Sequence, residues 1–123
     1  MDLNKVMLIG NLTRDPELRY TPAGQAVISF DVATNRRWTD NQTGERKEQA
    51  EFHHIVAWGK LAENCNKILK KGRKSYIEGR LQTRSWEQDD VKKYKTEVVA
   101  DSVIVLDKKE GGADDVVVEE EVM

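Results

Sequence analysis

Alternation is the feature that most constrains this chain. From Ala26 to Thr34, Ile28, Phe30 and Val32 fall on one parity while Ser29, Asp31 and Ala33 fall on the other. That two-residue period is the mark of a strand with one buried face. Four further strand regions are predicted at Lys5–Leu12, Glu48–Gly59, Lys74–Trp86 and Val91–Leu106, the last with a break expected near Ala100-Asp101. Turn residues punctuate them. Gly10-Asn11 ends the Val6–Ile9 run, and Asp40-Asn41 with Thr43-Gly44 marks a hairpin tip over Thr39–Gly44. Leu18–Thr21, stopped by Pro22 and turned by Gly24, reads as the frayed end of the first strand region. One helix interrupts the strands. Over Lys60–Lys71, Leu61, Cys65, Ile68 and Leu69 lie on one face of a 3.6-residue period, with Gly72 expected as a left-handed cap.

Three strand regions, a helix and two more strands predict an all-β fold. Its order is that of a five-stranded barrel of the oligonucleotide-binding (OB) type, with one helix between strands 3 and 4 and long β-hairpins. Closure also removes the unpaired edges that long open strands would expose. The length of 123 residues suits one domain. No apolar run approaches the roughly 20 residues of a membrane span. The N-terminal run is also too short for a signal peptide, so a chain without a leader is expected. A single cysteine, Cys65, excludes an internal disulfide and a cysteine-based zinc site, and points to the reducing cytoplasm.

The net charge of −2 conceals an asymmetry. Residues 1–110 carry 20 bases against 17 acids, a net of +3, whereas residues 111–123 carry five acids and no base. Two segments are therefore expected: a mildly basic domain over 1–110, and a short acidic tail over 111–123 that is unstructured in the free protein, its valine run lacking a partner.

Parity then sorts the side chains. On the third strand Phe52, His54, Val56 and Trp58 share one face, and His53, Ile55 and Ala57 share the other. On the fourth, Tyr76, Glu78, Arg80, Gln82, Arg84 and Trp86 point one way, and Ile77, Gly79, Leu81 and Thr83 the other. The set that mixes large rings with guanidinium groups belongs on the surface, because arginine is rarely buried without a partner. Rings and cations together suit single-stranded nucleic acid: unpaired bases stack on flat rings, and the phosphates between them need positive charge. Trp38, Phe52, Trp58 and Trp86 are the candidate stacking residues. Arg36, Arg37, Arg80, Arg84, Lys92, Lys93 and Lys95 are the candidate phosphate contacts. Arg36-Arg37-Trp38 and Arg84-Ser85-Trp86 are the most specific local signals.

These residues resemble a family. Asn4-Lys5-Val6 with Ile9-Gly10-Asn11-Leu12, Asp15-Pro16-Glu17 with Arg19-Tyr20, and Lys47-Glu48-Gln49 leading to Glu51-Phe52-His53 match the homotetrameric bacterial single-stranded DNA-binding proteins. So do Gly59-Lys60-Leu61-Ala62-Glu63, Tyr76-Ile77-Glu78-Gly79 with Leu81, Thr83-Arg84 and Trp86, and Thr96-Glu97-Val98-Val99. The resemblance covers about residues 3–106. It implies an OB barrel that stacks bases on Trp38, Phe52, Trp58 and Trp86, with Phe52 and Trp58 exchanging ring types relative to the family's best-known members. It also implies a homotetramer that pairs N-terminal strands, with a subunit interface at Lys5, Val6, Leu8, His53 and Tyr76. Sequence-independent binding and protection of single-stranded DNA in replication, recombination and repair follows, at the nucleoid and without a cofactor. Many members recruit replication and repair proteins through an Asp-Asp-Asp-Ile-Pro-Phe terminus. Here the tail ends Glu119-Glu120-Glu121-Val122-Met123 and lacks the Pro-Phe anchor.

Adjacent His53 and His54 face opposite sides of a strand and cannot chelate one metal together, no phosphate-cradling glycine loop exists, and no nucleophile–base pair is suggested, so no enzyme is expected. An OB module that binds a protein or structured RNA would use the same aromatics and arginines. Quenching of tryptophan emission by unstructured poly(dT) separates that reading from stacking.

Overall fold

The computed structural model describes residues 1–107 and the backbone of 117–119. The strands are β1 (Val6–Leu12), β2 (Glu17–Tyr20), β3 (Ala26–Thr39), β4 (Arg46–Trp58), β5 (Lys74–Gln88), β6 (Val91–Val105) and β7 (Val117–Glu119), with α1 (Gly59–Ile68) between β4 and β5. Five of them close the barrel. Neighbours run β1-β5-β6-β4-β3, and β3 returns to β1 through Asn11–Ala33 and Leu12–Val32. The β4–β6 contact, Ile55–Val98 and Val56–Val99, is parallel, and the other pairings are antiparallel.

The expected inward parity fills the barrel. Ile28, Phe30, Val32, Ile55, Ala57, Ile77, Val103 and Val105 are all fully buried, joined by Val98 and Ala100. Each large side chain stabilises the fold by about 1.5–3 kcal/mol through burial. Leu61, Ala62 and Cys65 of α1 close one end of this core. At the strand–helix junction Gly59 takes a left-handed φ of +65°, which a side chain would resist. The helix stops at Ile68, three residues before the expected Lys71. Leu69 turns extended, with φ −90° and ψ 143°, and its side chain enters the core. The Gly72 amide donates to the Leu12 carbonyl, so the left-handed glycine belongs to the turn into β5 and caps no helix. Buried Arg73 locks this corner, bonding to the Asp107 carboxylate at 3.1 Å and the Ile68 carbonyl at 3.2 Å.

Leu18–Thr21 is not a continuation of the first strand. After Asp15-Pro16 breaks the chain, Glu17–Tyr20 pairs antiparallel with Ala26–Ser29 of β3 around a turn closed by Gly24 N–H to Thr21 C=O at 2.8 Å. The expected break in the last strand is a bulge: Glu78 pairs with Ser102 but Gly79 pairs with Ala100, leaving Asp101 unmatched. Gly79 is required there, because a Cβ would lie 2.1 Å from the Val99 carbonyl oxygen.

Two hairpins run beyond the barrel. The β3–β4 arm stays in register out to Thr39–Arg46. At its tip the Asp40 carboxylate accepts the Gln42 amide at 2.8 Å and pairs with Lys47, which holds it below the usual carboxylate range. The β5–β6 arm reverses at Asp89 and Asp90, φ 54° and 62°, the doubly left-handed turn that matches strand twist. Of the acidic tail, Val117 and Val118 do find a partner: they pair with Ile104 and Val103 on the open edge of β6, where β-branched residues add readily. The rest of the tail lies outside the described residues.

Candidate nucleic-acid interface

Outward parity on β4 presents Phe52 with 69% of its surface exposed and Trp58 with 36%. Their cross-strand partners on β3 are Ala33 and Val27, too small to cover the rings. On β5, Trp86 is 38% exposed, and the Arg84 guanidinium lies 5.3 Å from the centroid of its ring. Across the arm Lys95 stands opposite Arg84 and Lys93 opposite Trp86, so this face gathers Arg80, Arg84, Lys93, Lys95 and the indole. A groove of about 240 Å³ runs from Trp58 to Arg84, whose guanidinium lies against the Trp86 ring. Arg19, Val27, Ser29, His54, Val56, Trp58, Arg84 and Glu97 line it.

A chain of polar groups crosses the floor of that groove. Arg84 Nε donates to Glu97 Oε1 at 2.9 Å, and Glu97 Oε2 lies 3.4 Å from His54 Nε2. His54 Nδ1 is 2.7 Å from Asp31 Oδ1, and Asp31 Oδ2 is 3.4 Å from Arg14. The chain passes over β5, β6, β4 and β3 in the order of the sheet. Glu97 is buried, at 9% exposure, which its two partners make tolerable. Arg14, Arg19, Asp31, His54 and Glu97 were absent from the candidate residues. Parity places His54 on the face of Phe52 and Trp58, and Arg19 and Glu97 fall within the motifs quoted above, but no local pattern links these residues to one another.

The remaining candidates divide. Trp38 is half-buried with the Arg36 guanidinium 5.0 Å from its ring, but register puts both on the face of Val32 and His53, opposite to Phe52 and Trp58. Arg37 shares the Phe52 face and pairs with Glu48 at 3.4 Å. Lys92 lies 5.6 Å from the Tyr94 ring, on the other side of the β5–β6 arm from Trp86. Val6 and Leu8, expected at a subunit interface, alternate inward opposite Gly79 and Ile77 and pack against the core. Met7 and Ile9, at 65% and 53% exposure, point outward in their place. Lys5 pairs with Glu78, which raises the ammonium above its ordinary value, and Tyr76 stands opposite Ile9. His53 is half-buried, bonded to the Thr34 hydroxyl at 2.9 Å on the face away from Phe52. Among the described residues no helix is long and apolar enough to cross a membrane, and no group of three His, Cys, Asp or Glu could hold a metal ion.

Residues 3–106 match the model of the single-strand binding protein family. The chain is 53% identical over 112 residues to "Single-stranded DNA-binding protein 1" of Chlorobaculum tepidum, a match covering 89% of this chain and 68% of that relative. Among solved structures it is similar to the Plasmodium falciparum SSB in complex with ssDNA, at a TM-score of 0.74 and 31% identity over 97% of each chain.

Proposed function

This chain belongs to the single-strand binding protein family, and on that premise we propose that it binds single-stranded DNA without regard to sequence. The family is one of DNA-binding proteins and not of enzymes. The observation that carries the proposal is the exposure of Phe52, Trp58 and Trp86 on outward strand faces, with Arg84 lining a groove beside Trp58 and lying against the Trp86 ring. Bases stack on these rings and on Trp38, each contact contributing about 1–3 kcal/mol with little preference among bases. Phosphates are held by Arg80, Arg84, Lys93 and Lys95 beside Trp86, by Arg36 and Arg37 on the β3–β4 arm, and by Lys92 from the far side of the second arm.

In this reading residues 1–110 do the binding and residues 111–123 form an acidic tail. The protein works in the cytoplasm, at the nucleoid, holding strands unpaired during replication, recombination and repair. Four copies assemble through the outward face of β1 and β5, where Met7, Ile9 and Tyr76 lie with Lys5, and through His53 on β4. The acidic tail is a site for replication and repair proteins.

Titration with poly(dT) at low salt tests the core of this reading. Stacking quenches the emission of Trp38, Trp58 and Trp86, and added salt weakens binding less steeply than for a purely ionic binder. Emission unchanged at low salt would overturn it. Light scattering at several concentrations tests the tetramer.

A further inference from the structure

Arg84 is engaged from two sides. Its Nε is committed to Glu97 at 2.9 Å while its guanidinium lies 5.3 Å from the Trp86 ring centroid, and its side chain remains 56% exposed. The way the carboxylate holds that cation therefore sets how it is offered to a ligand. Behind Glu97 stands His54, between two acids. Ionised carboxylates only accept hydrogen bonds, so the 2.7 Å contact with Asp31 fixes the hydrogen on Nδ1. The neutral ring then turns a lone pair toward Glu97 Oε2, and two acceptors 3.4 Å apart gain nothing from each other. A proton at Nε2 converts this contact into a charge-assisted hydrogen bond.

We infer that His54 and Glu97 are positioning residues for Arg84, and that capture of a DNA phosphate is coupled to uptake of one solvent proton at His54 Nε2. The inference rests on the single-stranded DNA reading above. A phosphate bound by Arg84 brings a second anion close to Glu97, a carboxylate that is itself largely withdrawn from solvent. Protonated His54 shares the Glu97 charge and frees more of the guanidinium for the phosphate. The groups facing His54 are Asp31 on β3, Glu97 on β6, and Arg84 on β5, with Arg19 on β2 across the groove and Arg14 behind Asp31. One N–H bond forms as one bond to hydrogen breaks in hydronium or a buffer acid, and no other bond changes.

The chain has two histidines, which makes the test clean. Affinity of the full chain for oligo(dT) is measured by tryptophan quenching between about pH 6 and pH 8 at fixed salt, the range in which histidine changes charge while thymine does not. The wild type binds about three- to tenfold tighter at the acid end, within the limit of one linked proton. His53→Gln keeps that slope and His54→Gln loses it. Glu97→Gln, which retains an acceptor for Arg84 without the charge, also loses it and binds near the acid limit of the wild type. Calorimetry of the wild type in two buffers of different ionisation enthalpy, a measurement independent of any variant's folding, detects the proton directly. A flat wild-type profile, no proton uptake, or a slope that persists in His54→Gln would overturn the inference. Failure of oligo(dT) to bind at any pH would instead overturn the functional reading.

Discussion

Phe52→Ala separates a binding ring from a core ring. Phe52 keeps 69% of its surface exposed in the free protein, so only about a third of a full phenylalanine burial is at stake. With full burial worth about 1.5–3 kcal/mol, the substitution costs the fold roughly 0.5–1 kcal/mol. Binding is affected more. A stacked base contributes about 1–3 kcal/mol, so affinity for single-stranded DNA falls about fivefold to more than a hundredfold. Phe30, on the adjacent strand and fully buried, gives the opposite pattern: Phe30→Ala costs about 3–5 kcal/mol of stability. The assay is a pair of measurements on each variant, urea denaturation for stability and oligo(dT) titration of intrinsic fluorescence for affinity. Unchanged affinity with a large loss of stability in Phe52→Ala would show that the ring serves the fold, and would remove the most exposed of the proposed stacking rings.

The two sides of the β5–β6 arm should differ: Lys93→Ala lowers affinity and the steepness of its salt dependence, whereas Lys92→Ala, across the arm over Tyr94, changes both less. Equal losses in filter-binding salt series would contradict the face assignment. Gly79→Ala forces a Cβ to within 2.1 Å of the Val99 carbonyl oxygen and destabilises the barrel by about 1–3 kcal/mol, read as a lower urea midpoint. An unchanged midpoint would mean that β5 and β6 part there without cost. Burial pushes the Cys65 thiol up to about 12 from an ordinary 9.0. The unfolded chain therefore releases that proton first, and the thiol's contribution to stability, complete below about pH 9, is lost as pH rises toward 12. Thiol reagents should label Cys65 only in denaturant, and rapid labelling of the native protein would contradict its burial.

The barrel was legible because its largest side chains alternate along β3 and β4. Ile28, Phe30 and Val32 inward, and Phe52 and Trp58 outward, are where parity alone places them. What the sequence hid was decided by pairing between distant strands. Nothing in Glu17–Tyr20 itself says that it turns back onto β3, since a four-residue strand carries too little pattern to separate a hairpin from a frayed end. The faces of Trp38 and Lys92 depend on the register of two long arms, which their turns set. Leu69 leaves the helix because the core takes its side chain, a tertiary demand that local periodicity cannot express. In the Arg14–Asp31–His54–Glu97–Arg84 chain, one hairpin sets Asp31 opposite His54 and the other joins Arg84 to Glu97, but only the parallel β4–β6 contact brings His54 to Glu97.

The arm formed by residues 80–94 is exposed along both of its faces, in contrast to the barrel-backed half of β4 that carries Trp58. A two-stranded ribbon with no apolar layer beneath it borrows its order from the barrel at its root, and opens at far less free energy than the core. A stiff platform and a pliant flap with one basic face therefore meet at one groove. Such an arrangement accommodates the irregular path of a flexible polyanion by bending the flap, and leaves the platform undisturbed.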